Sequence, residues 1–126
     1  VILVVLQNAY GVEDGYVPSY KRSSFLNSHT GRRLSEMLPT KDVEIRNASP
    51  IVGDVASSFF KCDLNYLRKE IGKIKPSVIL ACGVSAKNAI RNLETSIPII
   101  FAPHPAWRRL SKKITSNIRQ EVEKKL

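Results

Sequence analysis

Val78-Ile79-Leu80-Ala81-Cys82-Gly83-Val84-Ser85 is the stretch that decides the fold. An unbroken apolar run suits a strand buried on both faces, as inside a parallel sheet, and the glycine after it permits a tight turn into a helix. Ser85 to Leu93 then carries Ala86, Ala89, Ile90 and Leu93 at helical spacing. Upstream, Asp63 is placed to cap a helix whose apolar face is Leu64, Leu67, Ile71 and Ile74, and Lys75-Pro76 stops it. Farther upstream, Val43 to Asn47 alternates as a short strand, and a helix from Thr30 to Leu38 stops at Pro39. Val1 to Leu6 is a second unbroken apolar strand. Downstream, Ile97 to Phe101 is a fourth strand, and Pro98 puts it at a strand start or a sheet edge. From Trp107 to Leu126, Leu110, Ile114, Ile118, Val122 and Leu126 recur at helical spacing. Strands alternating with helices predict an α/β domain of three layers, α/β/α, on a four-stranded parallel sheet, with residues 1–126 forming one unit.

At 126 residues, 43% hydrophobic and 25% charged, the chain suffices for one core and has little room for two domains. No apolar run approaches the roughly 20 residues of a membrane span. Val1 to Leu6 is too short for a signal peptide's apolar region, and no basic stretch precedes it. The expectation is an intracellular protein, cytoplasmic or nucleoid-associated, with no membrane partner. The chain opens without Met, so a few residues are expected before Val1. Two cysteines, Cys62 and Cys82, are too few for a four-thiolate metal or cluster site and are expected to be reduced, partly buried thiols. A formal net charge of +9 favours polyanionic partners, nucleic acid first and anionic membrane second.

In open parallel sheets, ligands bind beyond the carboxyl ends of the strands. Those ends carry Gln7-Asn8-Ala9-Tyr10, Asn47-Ala48-Ser49, Cys82-Gly83-Val84-Ser85 and Ala102-Pro103-His104-Pro105. Three of them hold a polar group suited to reading or attacking a ligand. The polar stretch from Gln7 to Thr30, punctuated by Gly11, Gly15 and Pro18, exceeds an ordinary connection and marks a functional loop. Singly, each residue has a plain reading: Asn8 shapes a turn, Asn47 caps a strand end, His104-Pro105 is a turn. Their convergence on one sheet edge is what points to a site. There are no paired carboxylates at strand ends, which argues against a two-carboxylate glycosidase. The P-loop and G-x-G-x-x-G patterns are missing, as is a G-x-S-x-G around Ser85, and no His/Cys cluster has metal-ligand spacing.

With these residues in place, the chain resembles the uracil-DNA glycosylase superfamily over nearly its whole length. Leu6-Gln7-Asn8-Ala9-Tyr10-Gly11 is similar to the motif after that family's first strand, written G-Q-D-P-Y, G-I-N-P-G or G-E-A-P-G in different branches. One alignment puts Asn8 on the Asp or Asn that positions the attacking water, and a slide of one residue puts Asn8-Ala9-Tyr10-Gly11 on E-A-P-G. Phe25 followed by Thr30-Gly31-Arg32-Arg33-Leu34 resembles a Phe and G-R-x-L, and Ile45-Arg46-Asn47 resembles I-T-N. Leu67 to Ala89 resembles a helix, an L-R-P-K-V-V-V-A-L-G strand and a helix of small residues. Ala102-Pro103-His104-Pro105-Ala106 resembles the last motif, H-P-S, with Ala106 at the usual Ser.

The resemblance implies a uracil-DNA glycosylase-like fold and a monofunctional enzyme that flips uracil or a related modified pyrimidine from DNA and hydrolyses its N-glycosidic bond. Asn8 and His104 would be catalytic, the first orienting water and the second stabilising the departing base. Gln7, Tyr10, Phe25 and Asn47 would bind the base, with Phe25 stacking on it, Asn47 pairing with its edge and Tyr10 blocking a 5-methyl group. Arg32, Arg33, Trp107, Arg108, Arg109 and Lys112 would hold DNA, with Trp107 or Arg108 as the wedge. Lys113 is a further candidate, whereas Lys124 and Lys125 read as a solvated helix face. The cysteines of cluster-bearing branches are missing, so no cofactor is expected, and the protein is expected to be a monomer. Two other readings stay open. The motif departures suit a DNA-binding module that keeps the fold and is weakly active or inactive. An unrelated nucleoside-handling enzyme such as a deoxyribosyltransferase would need a carboxylate nucleophile at a strand end, and none is present.

Overall fold

In a computed structural model, which describes residues 1–9, 11–13, 16–55 and 61–126, strands β1 (Ile2–Leu6), β2 (Val43–Asn47), β3 (Val78–Cys82) and β4 (Ile99–Ala102) form one sheet. The strand order is β2-β1-β3-β4 and every pairing is parallel. Helices α1 (Ser23–Leu26), α2 (His29–Met37), α3 (Leu64–Ile74), α4 (Gly83–Arg91) and α5 (Lys112–Lys125) cover its two faces. The three-layer α/β/α architecture is thus the one the apolar runs require.

The two central strands, β1 and β3, are buried at every position. Their side chains alternate between faces. Ile2, Val4 and Leu6 with Val78, Leu80 and Cys82 meet Phe25 of α1, Leu34 and Met37 of α2, and Ile118 and Val122 of α5. Leu3, Val5, Ile79 and Ala81 meet Leu67 of α3 and Ala86, Ala89 and Ile90 of α4. Each fully buried Leu, Ile or Val contributes about 1.5–3 kcal/mol, so both faces are needed to hold the sheet. β2 has one alternating set inward, as an outer strand should.

Connections explain the order. From β1 the chain crosses by α1 and α2 to β2 on one side. From β2 it returns over the other face by α3 to β3 and by α4 to β4. Right-handed crossovers in opposite directions put these helices on opposite faces and leave a crevice between β1 and β3 at their carboxyl ends.

Local chemistry sets most boundaries. Asp63 caps α3 by accepting from Tyr66 N–H at 3.0 Å, as expected. Lys75 ends it in the left-handed conformation, φ 51°. Four elements differ most from the sequence reading. α1 is a single turn with no periodic signature. α4 starts at Gly83 rather than Ser85, on a glycine with φ +88°, and ends two residues early with Asn92 as its C-cap. β4 runs from Ile99 to Ala102, and the Pro98 carbonyl accepts from Ile79 N–H at 2.9 Å. α5 starts at Lys112 rather than Trp107, because the Ser111 side chain caps it and residues before it fold into turns.

Candidate functional site

The loop after β1 leaves the sheet alongside the chain after β2. Ala48 N–H donates to the Leu6 carbonyl at 2.7 Å and Ser49 N–H to the Gln7 carbonyl at 3.0 Å, which prolongs the strand pairing. Gly11 and Gly53 close the next step: Gly53 N–H donates to Ala9 and Gly11 N–H to Gly53, both at 2.8 Å. This fixes the backbone of Asn8. Its Nδ2 donates to the Ala9 carbonyl at 3.1 Å, while its Oδ1 is buried and met by no protein group.

Asn8, Phe25, Asn47 and His104 line one cavity of about 270 Å³ beyond the carboxyl ends of the strands. That lies just below the roughly 300–1,000 Å³ of pockets for drug-sized ligands, so it suits a single heterocycle. Asn47 ends β2 and is 7% exposed, yet its side-chain amide makes no hydrogen bond within the described residues. The residue lines the cavity, where its amide is open to what enters. Phe25 is 9% exposed and forms part of the wall. It sits on α1, pinned to α2 by Ser28, whose Oγ donates to the Phe25 carbonyl at 2.5 Å and accepts from Gly31 N–H at 3.0 Å. A Cβ on Gly31 would stand 1.9 Å from the Phe25 carbonyl oxygen, so only glycine lets the two helices meet this closely.

His104 follows β4. Ala106 N–H donates to its Nδ1 at 3.0 Å. A ring nitrogen that accepts carries a lone pair, so the neutral ring holds its proton on Nε2 and offers a donor there. Burial lowers the His104 pKa, which keeps the ring neutral near pH 7. Gly83 supports the ring from beneath: a Cβ there would lie 3.3 Å from the His104 Cβ.

The remaining expected residues fall into two groups. Arg32, Trp107, Arg108, Arg109 and Lys112 are exposed. Ala106 to Arg109 form a continuous exposed stretch, separated from His104 by the buried Pro105. Arg33 turns inward instead: its Nη2 donates to the Leu110 carbonyl and its Nε lies 3.6 Å from Glu36 Oε2. Gln7 is part-buried at the strand end and is not in the cavity wall. Tyr10 lies outside the described residues.

The cavity also has walls that sequence reasoning did not name: Val12, Tyr16 and Pro18 from the long loop, and Ser28 and Thr30 at the start of α2. The Arg22 guanidinium stands 5.9 Å from the Tyr16 ring centre. Nothing periodic marks these residues. All five lie within the stretch Gln7 to Thr30 that its length marks as a functional loop, which points to the loop without singling out these residues.

A larger cleft of about 480 Å³ at the start of α3 is the weaker candidate. Three of its polar groups are already engaged, whereas Lys61, Asn65 and Arg68 line it without side-chain partners among the described residues. Asp63 caps α3, Ser49 Oγ accepts from Ile51 N–H at 3.3 Å, and Cys62 Sγ donates to the Ser85 carbonyl at 3.3 Å. Neither thiol is a nucleophile at neutral pH, since burial raises Cys62 and pushes Cys82 up to about 12. Among the described residues no cluster of His, Cys, Asp or Glu could hold a metal ion, and no helix is long and apolar enough to cross a membrane. No family model, no curated protein and no solved structure matches this chain.

Proposed function

We propose that this protein is a DNA glycosylase of the uracil-DNA glycosylase type, a monofunctional enzyme that flips uracil or a related modified pyrimidine and hydrolyses its N-glycosidic bond. The observation that carries the reading is the single cavity that joins Asn8, Phe25, Asn47 and His104, with the Asn8 Oδ1 buried and unmet beside it.

The chemistry follows from the groups. A base cannot be reached within a duplex, and extruding it costs a few kcal/mol. Stacking on Phe25 returns about 1–3 kcal/mol. The Asn47 amide presents a donor for O4 and an acceptor for N3–H, the pattern of uracil. As the bond from C1′ to N1 stretches, the sugar gains cationic character and the base becomes an anion. The Nε2–H of neutral His104 stabilises that anion at O2. The Asn8 Oδ1 accepts a hydrogen from water and aims its oxygen at C1′. The products are the free base and an abasic sugar. Asn8 is an amide and takes up no proton, so the proton water loses must leave by solvent or the departing base.

The exposed run Ala106 to Arg109, with Arg32 and Lys112, supplies the DNA contacts: cations for phosphates and Trp107 for the gap left by the flipped base. The enzyme would act as a monomer without a cofactor, on DNA of the cytoplasm or nucleoid. A second reading, a DNA-binding module with weak or no activity, draws on the exposed Ala106 methyl where the resembling motif has a hydroxyl. Uracil-containing, thymine-mismatched and modified-base oligonucleotides, incubated with protein and then cleaved with alkali, decide. Strand cleavage at one of the bases supports the enzyme. Tight binding with no product supports the module, and neither binding nor product ends both.

A further inference from the structure

We infer that Arg33 is a positioning residue, an internal strut that holds the segment bearing His104 and Trp107, rather than a phosphate contact. The inference concerns the same site as the proposed glycosylase and rests on that reading only for its consequence on DNA.

Arg32 and Arg33 are neighbours on α2, yet the helix turns them about 100° apart. Arg32 faces solvent. The Arg33 side chain is 24% exposed, and its guanidinium is turned inward, held by a hydrogen bond at Nη2 and by an ion-pair approach at Nε, which is buried and makes no hydrogen bond. Nη2 donates to the Leu110 carbonyl. Nε faces Glu36 at 3.6 Å, and Glu36 Oε2 in turn accepts from the hydroxyl of buried Thr115 on α5 at 3.2 Å. Leu110 is the last link of a short ladder. Leu110 N–H donates to the Trp107 carbonyl at 3.2 Å, and Trp107 N–H donates to the His104 carbonyl at 2.9 Å. Two turns therefore carry the hold of Arg33 from Leu110 back to His104. A charge-assisted bond to a backbone carbonyl is stronger than either turn bond, so it is the anchor of the ladder. Phe25 is tied to the same helix through Ser28 and Gly31, and α2 thus sets the spacing between the stacking ring and the histidine.

Trp107 is the only tryptophan and is 44% exposed, so its emission reports on this segment without any need for activity. The test compares wild type with Arg33→Met, Arg33→Lys and Arg109→Met. It measures Trp107 anisotropy and acrylamide quenching in the free protein. It also measures the affinity for a labelled DNA duplex across a series of salt concentrations. Arg33→Met is expected to lower the anisotropy and increase quenching, to weaken DNA binding roughly tenfold, and to leave the salt slope unchanged. Arg33→Lys, which keeps the charge without the planar fork, should also free Trp107, though less. Arg109→Met should lower the slope by about 0.9, the value of one phosphate contact, and leave Trp107 as it was. A slope lowered by about 0.9 in Arg33→Met with Trp107 unmoved would overturn the proposal, as would Trp107 unmoved in both Arg33 variants. If the wild type binds no duplex, the glycosylase reading fails while the Trp107 measurement still decides the role of Arg33. If Arg33→Met does not fold, Arg33→Lys carries the test.

Discussion

The loop after β1 and the segment after β4 face each other across the cavity and are built differently. After β4, the protein fixes its own ring and backbone: Ala106 N–H donates to the His104 ring, two turns lock the backbone, and Arg33 Nη2 anchors the far end, although its Nε is buried without a hydrogen bond. After β1, the backbone is held as firmly, by bonds to Leu6, Gln7, Ala9 and Gly53, but the Asn8 side chain is held at its Nδ2 alone. Asn8 leaves an acceptor buried and unmet. In the proposed reaction, the first side would be preorganised to donate to a developing charge. The second keeps one bond in reserve for something that enters. Leaving a buried acceptor unsatisfied costs roughly 1–3 kcal/mol, which makes sense only where a ligand or water completes it.

The comparison breaks first at His104. His104→Ala removes the donor aimed at the departing base, and single-turnover excision of uracil is expected to fall by about 10²–10³-fold. An equal rate in the variant would remove the β4 side from the chemistry. The next largest effect belongs to Asn8→Ala. Excision is expected to fall about 10²-fold, because the water loses its aim. The thermal midpoint should stay level or rise, since the variant discards an unmet buried oxygen. A clear drop in the midpoint would mean that Asn8 is held by the fold and reserves nothing.

Much of this contrast was legible in the sequence, for physical reasons. Short, β-branched apolar runs such as Val1–Leu6 and Val78–Cys82, bounded by turn residues and alternating with helices, suit central parallel strands, and parallel strands carry their ligands at one edge. That rule alone brings Asn8, Asn47 and His104 near one another. What it does not give is direction. Arg32 and Arg33 look alike as letters, and only the phase of α2 against the Leu110 carbonyl separates solvent from interior. Tyr16 and Pro18 reach the cavity through a loop with no period, so no spacing could pick them out. The turns at Trp107 to Leu110 hid inside an apolar spacing that reads as one continuous helix. Ser111 was the missed signal, a capping residue placed before a run of helix formers.

Gly83 sharpens the comparison with a smaller change, because a side chain added there would meet His104 first. Alanine there must adopt φ +88°, at a cost of about 1–3 kcal/mol, and its Cβ presses on the His104 Cβ at 3.3 Å. Gly83→Ala is expected to lower the thermal midpoint and to slow excision roughly tenfold, equivalent to 1.4 kcal/mol in the barrier. DNA affinity should hold, since no exposed cation moves. Lost affinity with an unchanged rate would show that the glycine serves the DNA surface and not the histidine.

The smallest effect is a pH dependence confined to the β4 side. Burial lowers the His104 pKa below its ordinary 6.5, and unfolding restores it. Between those two values the unfolded chain binds more protons, so its share of the equilibrium grows as pH falls. The contribution of His104 to stability is therefore complete above about pH 6.5 and is lost as pH falls through the lowered native value. Protonation also has a local reason to be resisted: it would put a hydrogen on Nδ1, facing the Ala106 N–H that now donates to it. His104→Gln has no such titration. The difference in thermal midpoint between wild type and His104→Gln, followed from about pH 8 to about pH 5, should stay constant at first and then shift against the wild type. His29, the other histidine, is common to both proteins and cancels in the difference. A constant difference over the whole range would mean that the ring accepts a proton as readily folded as unfolded. The β4 side would then be no more preorganised than the loop it faces.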